Sequence, residues 1–126
     1  MNHDEFVGQV QHRAHLPSRG DAETIIRATL ETLRDRLQPK AAAHLAAQLP
    51  AEINRHLCGG TLFEHLSLHD FYERVAEREQ TGADKAEFHA RCVIDVVRDA
   101  ISPGAVRKLE KQMPEEFRVA LMQPAA

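Results

Sequence analysis

Apolar residues recur along this chain three and four positions apart, the spacing of one face of a helix. Ala22, Ile26, Leu30, Leu33 and Leu37 form one such stripe, and Ala86, Ala90, Ile94, Val97 and Ile101 form a second. No stretch alternates apolar and polar residues for long. Ala, Leu, Glu, Arg and Gln fill the periodic windows, so the pattern argues for helices and against a β-rich fold.

Sliding the chain against itself by 64 positions exposes an internal repeat. Ala22-Glu23 falls on Ala86-Glu87, Arg27 on Arg91, and Arg34-Asp35 on Arg98-Asp99. Pro39 meets Pro103, Leu45 meets Leu109, Gln48 meets Gln112, Pro50 meets Pro114 and Leu57 meets Leu121. Before about residue 17 the offset becomes 65, so that Phe6 meets Phe71, Val10 meets Val75 and Arg13 meets Arg78. Period alone reproduces apolar matches but not the shared prolines, arginines and glutamines.

Each copy reads as four helical pieces. The first runs near 4–15 and again near 69–80, with Asn2 and Ser67 as caps and Glu5 and Asp70 three residues on. The second and longest runs near 21–37 and 84–101. Pro39 and Pro103 stop it, because proline disfavours helix in the residue before it. The third runs near 40–49 and 104–113. Pro50 and Pro114 then open a short fourth piece with acidic residues behind each proline. The expected architecture is an all-α helical bundle, two tandem copies of a four-helix unit related by a pseudo-two-fold axis. It forms one domain over 1–126, with repeats at about 2–58 and 67–123 and a linker at 59–66 that starts at Gly59-Gly60.

Composition narrows the function. With 126 residues, 43% hydrophobic and 28% charged, the chain can bury a modest core. There is no Trp, and Tyr72 is the single tyrosine, so Leu, Ile, Val and Ala must supply the core mass. A net charge of −3 argues against nucleic acid, whose phosphates call for a basic patch, and against an anionic membrane surface. No apolar run approaches the ~20 residues that span a bilayer. The start, Met1-Asn2-His3-Asp4-Glu5, lacks the basic and apolar regions of a signal peptide. Cys58 and Cys92 form no CxxC motif, and two free cytoplasmic thiols are expected, with a disulfide between them as the alternative that distance decides.

Three phrases carry a family resemblance: Asp70-Phe71-Tyr72-Glu73-Arg74-Val75-Ala76-Glu77-Arg78, then Val93-Ile94-Asp95-Val96-Val97-Arg98-Asp99-Ala100-Ile101, then Lys111-Gln112-Met113-Pro114-Glu115-Glu116-Phe117. The first half echoes them in Leu30-Glu31-Thr32-Leu33-Arg34-Asp35-Arg36-Leu37 and Ala47-Gln48-Leu49-Pro50-Ala51-Glu52-Ile53. The chain resembles, over nearly its whole length, the bacterial family catalogued as domain of unknown function 2267. These are helix-packing phrases. The resemblance implies a small helical bacterial protein, with no established activity and no functional residues to transfer.

Among candidate chemistries, His12 and His15 are three apart on an expected helix and could face one way, the minimum for a metal site. The repeat sets Glu77 and Gln80 at the matching positions, which read as solvated surface, and no HExxH motif is present. His89 aligns with Ile25 beside the apolar stripe, where a half-buried imidazole bonded to backbone is expected. Cys92 aligns with Ala28 and reads as a packed small residue. Cys58 lies at a helix end, with no base in view to hold a thiolate. Glu115-Glu116 and Asp4-Glu5 lie at helix starts, where they offset the helix dipole. Gly59-Gly60 lacks the lysine of a phosphate loop.

A charge ladder repeats as well. Glu23, Arg27, Glu31 and Arg34 recur as Glu87, Arg91, Asp95 and Arg98, each set on one helix face. The ladder is a solvated face, a pair of related polar surfaces that dock a partner, or an interface in which Arg27 and Arg91 are buried between the halves. The expected function is a non-enzymatic interaction module of the bacterial cytoplasm with a protein partner and no cofactor. The alternative is a metal- or small-ligand-binding helical protein using His12, His15 or a pocket between the halves, and an enzyme ranks third.

Overall fold

The computed structural model describes residues 1–60 and 63–123, and among them every regular element is helical. Seven α-helices follow in order: α1 (His3–Arg13), α2 (Arg19–Arg36), α3 (Pro39–Gln48), α4 (Leu68–Glu79), α5 (Ala83–Ala100), α6 (Pro103–Lys111) and α7 (Glu115–Leu121). A 3-10 turn at Asn54–Leu57 lies between α3 and α4.

Local chemistry sets the boundaries. At α1, Asn2 Oδ1 accepts from the Glu5 amide at 2.8 Å and Glu5 Oε1 accepts from the Asn2 amide at 3.3 Å, a closed capping box. At α4, the Ser67 hydroxyl accepts from the Asp70 amide at 3.1 Å. Ser18 accepts from the Asp21 amide at 3.1 Å, so α2 begins at Arg19, two residues before the apolar spacing suggested. The prolines act as expected: Leu37 and Ile101 turn extended one residue after α2 and α5, and Pro39 and Pro103 open α3 and α6.

Two expectations need correction. The first helix was expected to reach residue 15, but α1 ends at Arg13 and His15 adopts φ 55°. The fourth piece of the first copy is a 3-10 turn instead of an α-helix. Glu52 takes φ 74°, which a right-handed helix does not admit, and no side chain caps the turn. Its counterpart α7 starts on Glu115 and Glu116 and runs seven residues.

The long helices α2 and α5 pack on each other at the centre. Helix α1 touches both, and α4 likewise touches both. Phe6, Val7 and Val10 from α1, Phe71 and Val75 from α4, and Ile26, Leu30, Leu33, Ile94 and Val97 from the central pair are fully enclosed. Each such side chain removed from water contributes about 1.5–3 kcal/mol. Phe117 of α7 meets Phe71 edge to face, centroids 5.5 Å apart.

The segment expected as a linker, 59–66, is packed where it is described; Thr61 and Leu62 lie outside the described residues. The Glu64 amide donates to the Asp35 carbonyl at 2.8 Å, and Arg74 forks onto both Glu64 oxygens. Arg36 Nε donates to the Leu66 carbonyl at 3.1 Å. The Arg36 guanidinium lies 5.2 Å from the ring centres of both Phe63 and Phe117. Burial pulls the Arg36 pKa below its ordinary value, against the opposing Glu116 carboxylate.

Candidate functional site

Helices α3 and α6 stand beside the central bundle, touch each other and enclose an open groove of about 770 Å³. Proline at the first turn starts both helices. At α6 the Ser102 hydroxyl also accepts from the Ala105 amide at 3.1 Å. Both bury little: Ala42, Leu45 and Ala46 on α3, and Leu109 on α6. Their remaining faces are free to line the groove. Leu45 and Leu109 form its floor with Ala41 and Ala105, while Lys40, His44, Lys108 and Lys111 stand along it. Among the described residues no carboxylate lines it. A cationic lining on a chain of net charge −3 is a local reversal of sign.

The charge ladder is distributed among internal contacts. In the first set, Glu23 pairs with Arg19 at 3.1 Å and Arg27 with Glu31 at 3.6 Å. Arg34 Nη1 donates to the Cys58 carbonyl at 3.3 Å. In the second set, Arg98 Nη1 donates to the Met122 carbonyl at 3.0 Å and also pairs with Asp95, while Arg91 Nε donates to the Ala120 carbonyl at 3.3 Å. Burial and the Glu87 carboxylate push the Tyr72 phenol up. Glu23, Arg27 and Arg91 are exposed, and the other five members are half-buried.

Two arginines outside the ladder complete it. Arg13 on α1 holds Asp95 at 2.7 Å and Asp99 at 2.6 Å on α5. Arg78 on α4 holds Asp35 at 2.9 Å and Glu31 at 3.7 Å on α2, and donates to the Thr32 hydroxyl at 2.8 Å. The Asp99 hydrogen bond raises the Arg13 pKa above its ordinary value, against partial desolvation.

The histidine candidates separate. His12 lies on α1, but His15 stands beyond the helix end with its ring 6.4 Å from that of Phe88, so the two share no helical face. Among the described residues no group of three or more His, Cys, Asp or Glu is arranged to hold a metal ion. His89 is bonded to a side chain instead of the expected backbone: its Nδ1 lies 2.6 Å from Glu79 Oε1, and the Glu79 side chain is only 3% exposed. Cys92 is buried, as expected for a packed residue, and burial together with Asp95 pushes its thiol up. Cys58 is exposed, and both cysteines are free.

The sequence suggested a pocket between the halves but did not place it at α3 and α6. A signal was present, since residues 39–48 contain no carboxylate and residues 103–111 carry three cations against one glutamate. Nothing in one dimension shows that two segments 64 positions apart face each other.

No helix among the described residues is long and apolar enough to cross a membrane. A search of curated proteins finds no match to the chain. The family model described as an uncharacterized conserved protein (DUF2267) matches residues 3–120, almost the whole chain. That coverage takes in all four core helices and both walls of the groove, and the chain belongs to the DUF2267 family.

Proposed function

We propose that this chain is a non-enzymatic interaction module of the bacterial cytoplasm, a single domain formed by duplication of one helical unit, and that it docks a protein partner in the groove between α3 and α6. The groove carries the reading: it is a cation-lined concave surface at which α3 meets α6.

Duplication is supported by register. Arg19–Arg36 and Ala83–Ala100 are both 18 residues long and start 64 positions apart, and α3 and α6 open on prolines 64 apart. Arg34 binds the carbonyl of Cys58, and Arg98 binds that of Met122, each partner again 64 residues from its equivalent. The Arg13 and Arg78 ion pairs cross reciprocally between the two copies. A two-fold relation predicts such exchange. Under the same register His44 matches Lys108 and Leu45 matches Leu109, so the groove straddles the relation.

The docking surface belongs in the groove more than on the ladder, because most ladder charges already hold a partner within the chain. An ion already paired must be released before it binds anything else, whereas Lys40, Lys108 and Lys111 form no ion pair among the described residues.

The test uses tagged protein, a Lys40→Glu/Lys108→Glu variant and an Arg55→Glu control on a different element. A partner held by wild type and control, lost by the groove variant and rebound as a purified protein, supports the reading. If every partner survives the groove change while circular dichroism stays native, the reading fails.

A further inference from the structure

We propose that the occupant of the α3–α6 groove is an acidic amphipathic helix of the partner protein. This rests on the reading of the groove as a docking site and adds the chemistry of what enters it. Charge complementarity is the first argument. Lys40, Lys108 and Lys111 supply three ammonium groups, His44 lies among them, and among the described residues no carboxylate lines the groove to neutralise them. Whatever fills it must bring negative charge.

The floor supplies the second argument. Leu45 and Leu109, both buried, share the lining with Ala41 and Ala105, short side chains over which another helix can approach closely. The walls are ten and nine residues long, about 15 Å at the helical rise. That length matches about three turns of a docked helix, presenting apolar residues at i, i+3 or i+4 and i+7 with Asp and Glu on its flanks.

Other anions fit less well. Single-stranded nucleic acid is held largely by stacking on aromatic rings, and no aromatic carbocycle lines this groove. A fatty acid or similar small anion is normally enclosed over most of its surface, whereas this trough is open along its length. A helix needs only one of its faces covered.

The probe is a synthetic peptide of about 14 residues, four turns, with Leu at helical spacing and Glu elsewhere. Its mate carries Lys in place of Glu. Binding to the full chain is followed by fluorescence anisotropy and by amide chemical shifts. The acidic peptide should bind saturably and at least tenfold more tightly than the basic one. Its affinity should fall as salt rises, and the shifts should map to α3 and α6. Lys40→Glu/Lys108→Glu/Lys111→Glu should weaken it at least tenfold. Ala47→Trp, at an exposed groove position, should block it without touching the charges. Equal binding of the two peptides, or no binding of the acidic one, overturns the proposal. So does saturable binding of oligo(dT) or laurate at the groove in place of the peptide. In those cases the partner test above still decides whether the groove docks a protein, because it relies on the captured partner and not on these probes.

Discussion

Arg78 Nη2 on α4 stands 2.9 Å from Asp35 Oδ2 on α2, and the same guanidinium donates to Thr32 and faces Glu31. Its counterpart Arg13 makes the mirror connection from α1 to Asp95 and Asp99 on α5. Helix α4 is thereby fastened to α2, and α1 to α5. The Asp35 side chain is only 13% exposed and also faces Arg74 at 3.3 Å and Arg34 at 3.6 Å, so it is held by arginines more than by water.

Replacing Arg78 by Met should therefore destabilise the fold by about 1–3 kcal/mol, because Asp35 loses its closest partner and Thr32 a donor. Asp35→Asn combined with Arg78→Met should recover part of that loss, since position 35 then holds no carboxylate that has lost its closest partner. Urea denaturation of the two variants checks this. Equal destabilisation of single and double variants would show that the ion pair contributes only through packing of the Arg78 stem.

Arg27 should behave differently. It is 45% exposed, and among the described residues its one ion pair is with Glu31, at 3.6 Å. Arg27→Glu should cost roughly 0.5 kcal/mol or less, combining a lost surface pair with an i,i+4 repulsion. A cost near that of Arg78→Met would mean that Arg27 takes part in the seam between the halves.

The two thiols should differ in reactivity. Cys58 is exposed, while burial and the nearby Asp95 hold the Cys92 thiol above its usual range. Iodoacetamide at neutral pH should modify Cys58 within minutes and Cys92 only as the protein unfolds. Peptide mass mapping over time reads both sites, and comparable rates would refute the burial of Cys92.

Acid should weaken the fold through His56. Burial, aided by the positive charge of Arg55, lowers its pKa below the ordinary 6.5. The folded state thus favours neutral imidazole, and the unfolded chain binds the proton more readily. The resulting stability is complete above 6.5 and is lost as pH falls through it toward the folded value. Melting temperatures from pH 7.5 to pH 5.5 should drop more for wild type than for His56→Gln. Parallel slopes in the two proteins would assign the acid effect to other groups.

The sequence alone determined the helices, their order and most of their ends. These are local properties: the period of the Leu, Ile and Val stripes, the Asn2 and Ser67 caps and the proline stops act within a few residues, and so remain visible in one dimension. It also aligned the 64-position register and pointed to the family, because both are written in residue identity. Where a helix end depended on backbone handedness, at His15 and Glu52, the pattern overran, since side-chain spacing carries no φ. Tertiary structure alone decided what the charges do. Glu31 and Arg27 sit in one ladder, yet Glu31 faces Arg78 across a seam and Arg27 faces water. Electrostatic partners are chosen by distance in space, and the nearest opposite charge to Arg13, Asp99, lies 86 residues away. The groove arises the same way: Lys40 and Lys108 acquire a common environment only because packing of the bundle brings α3 against α6.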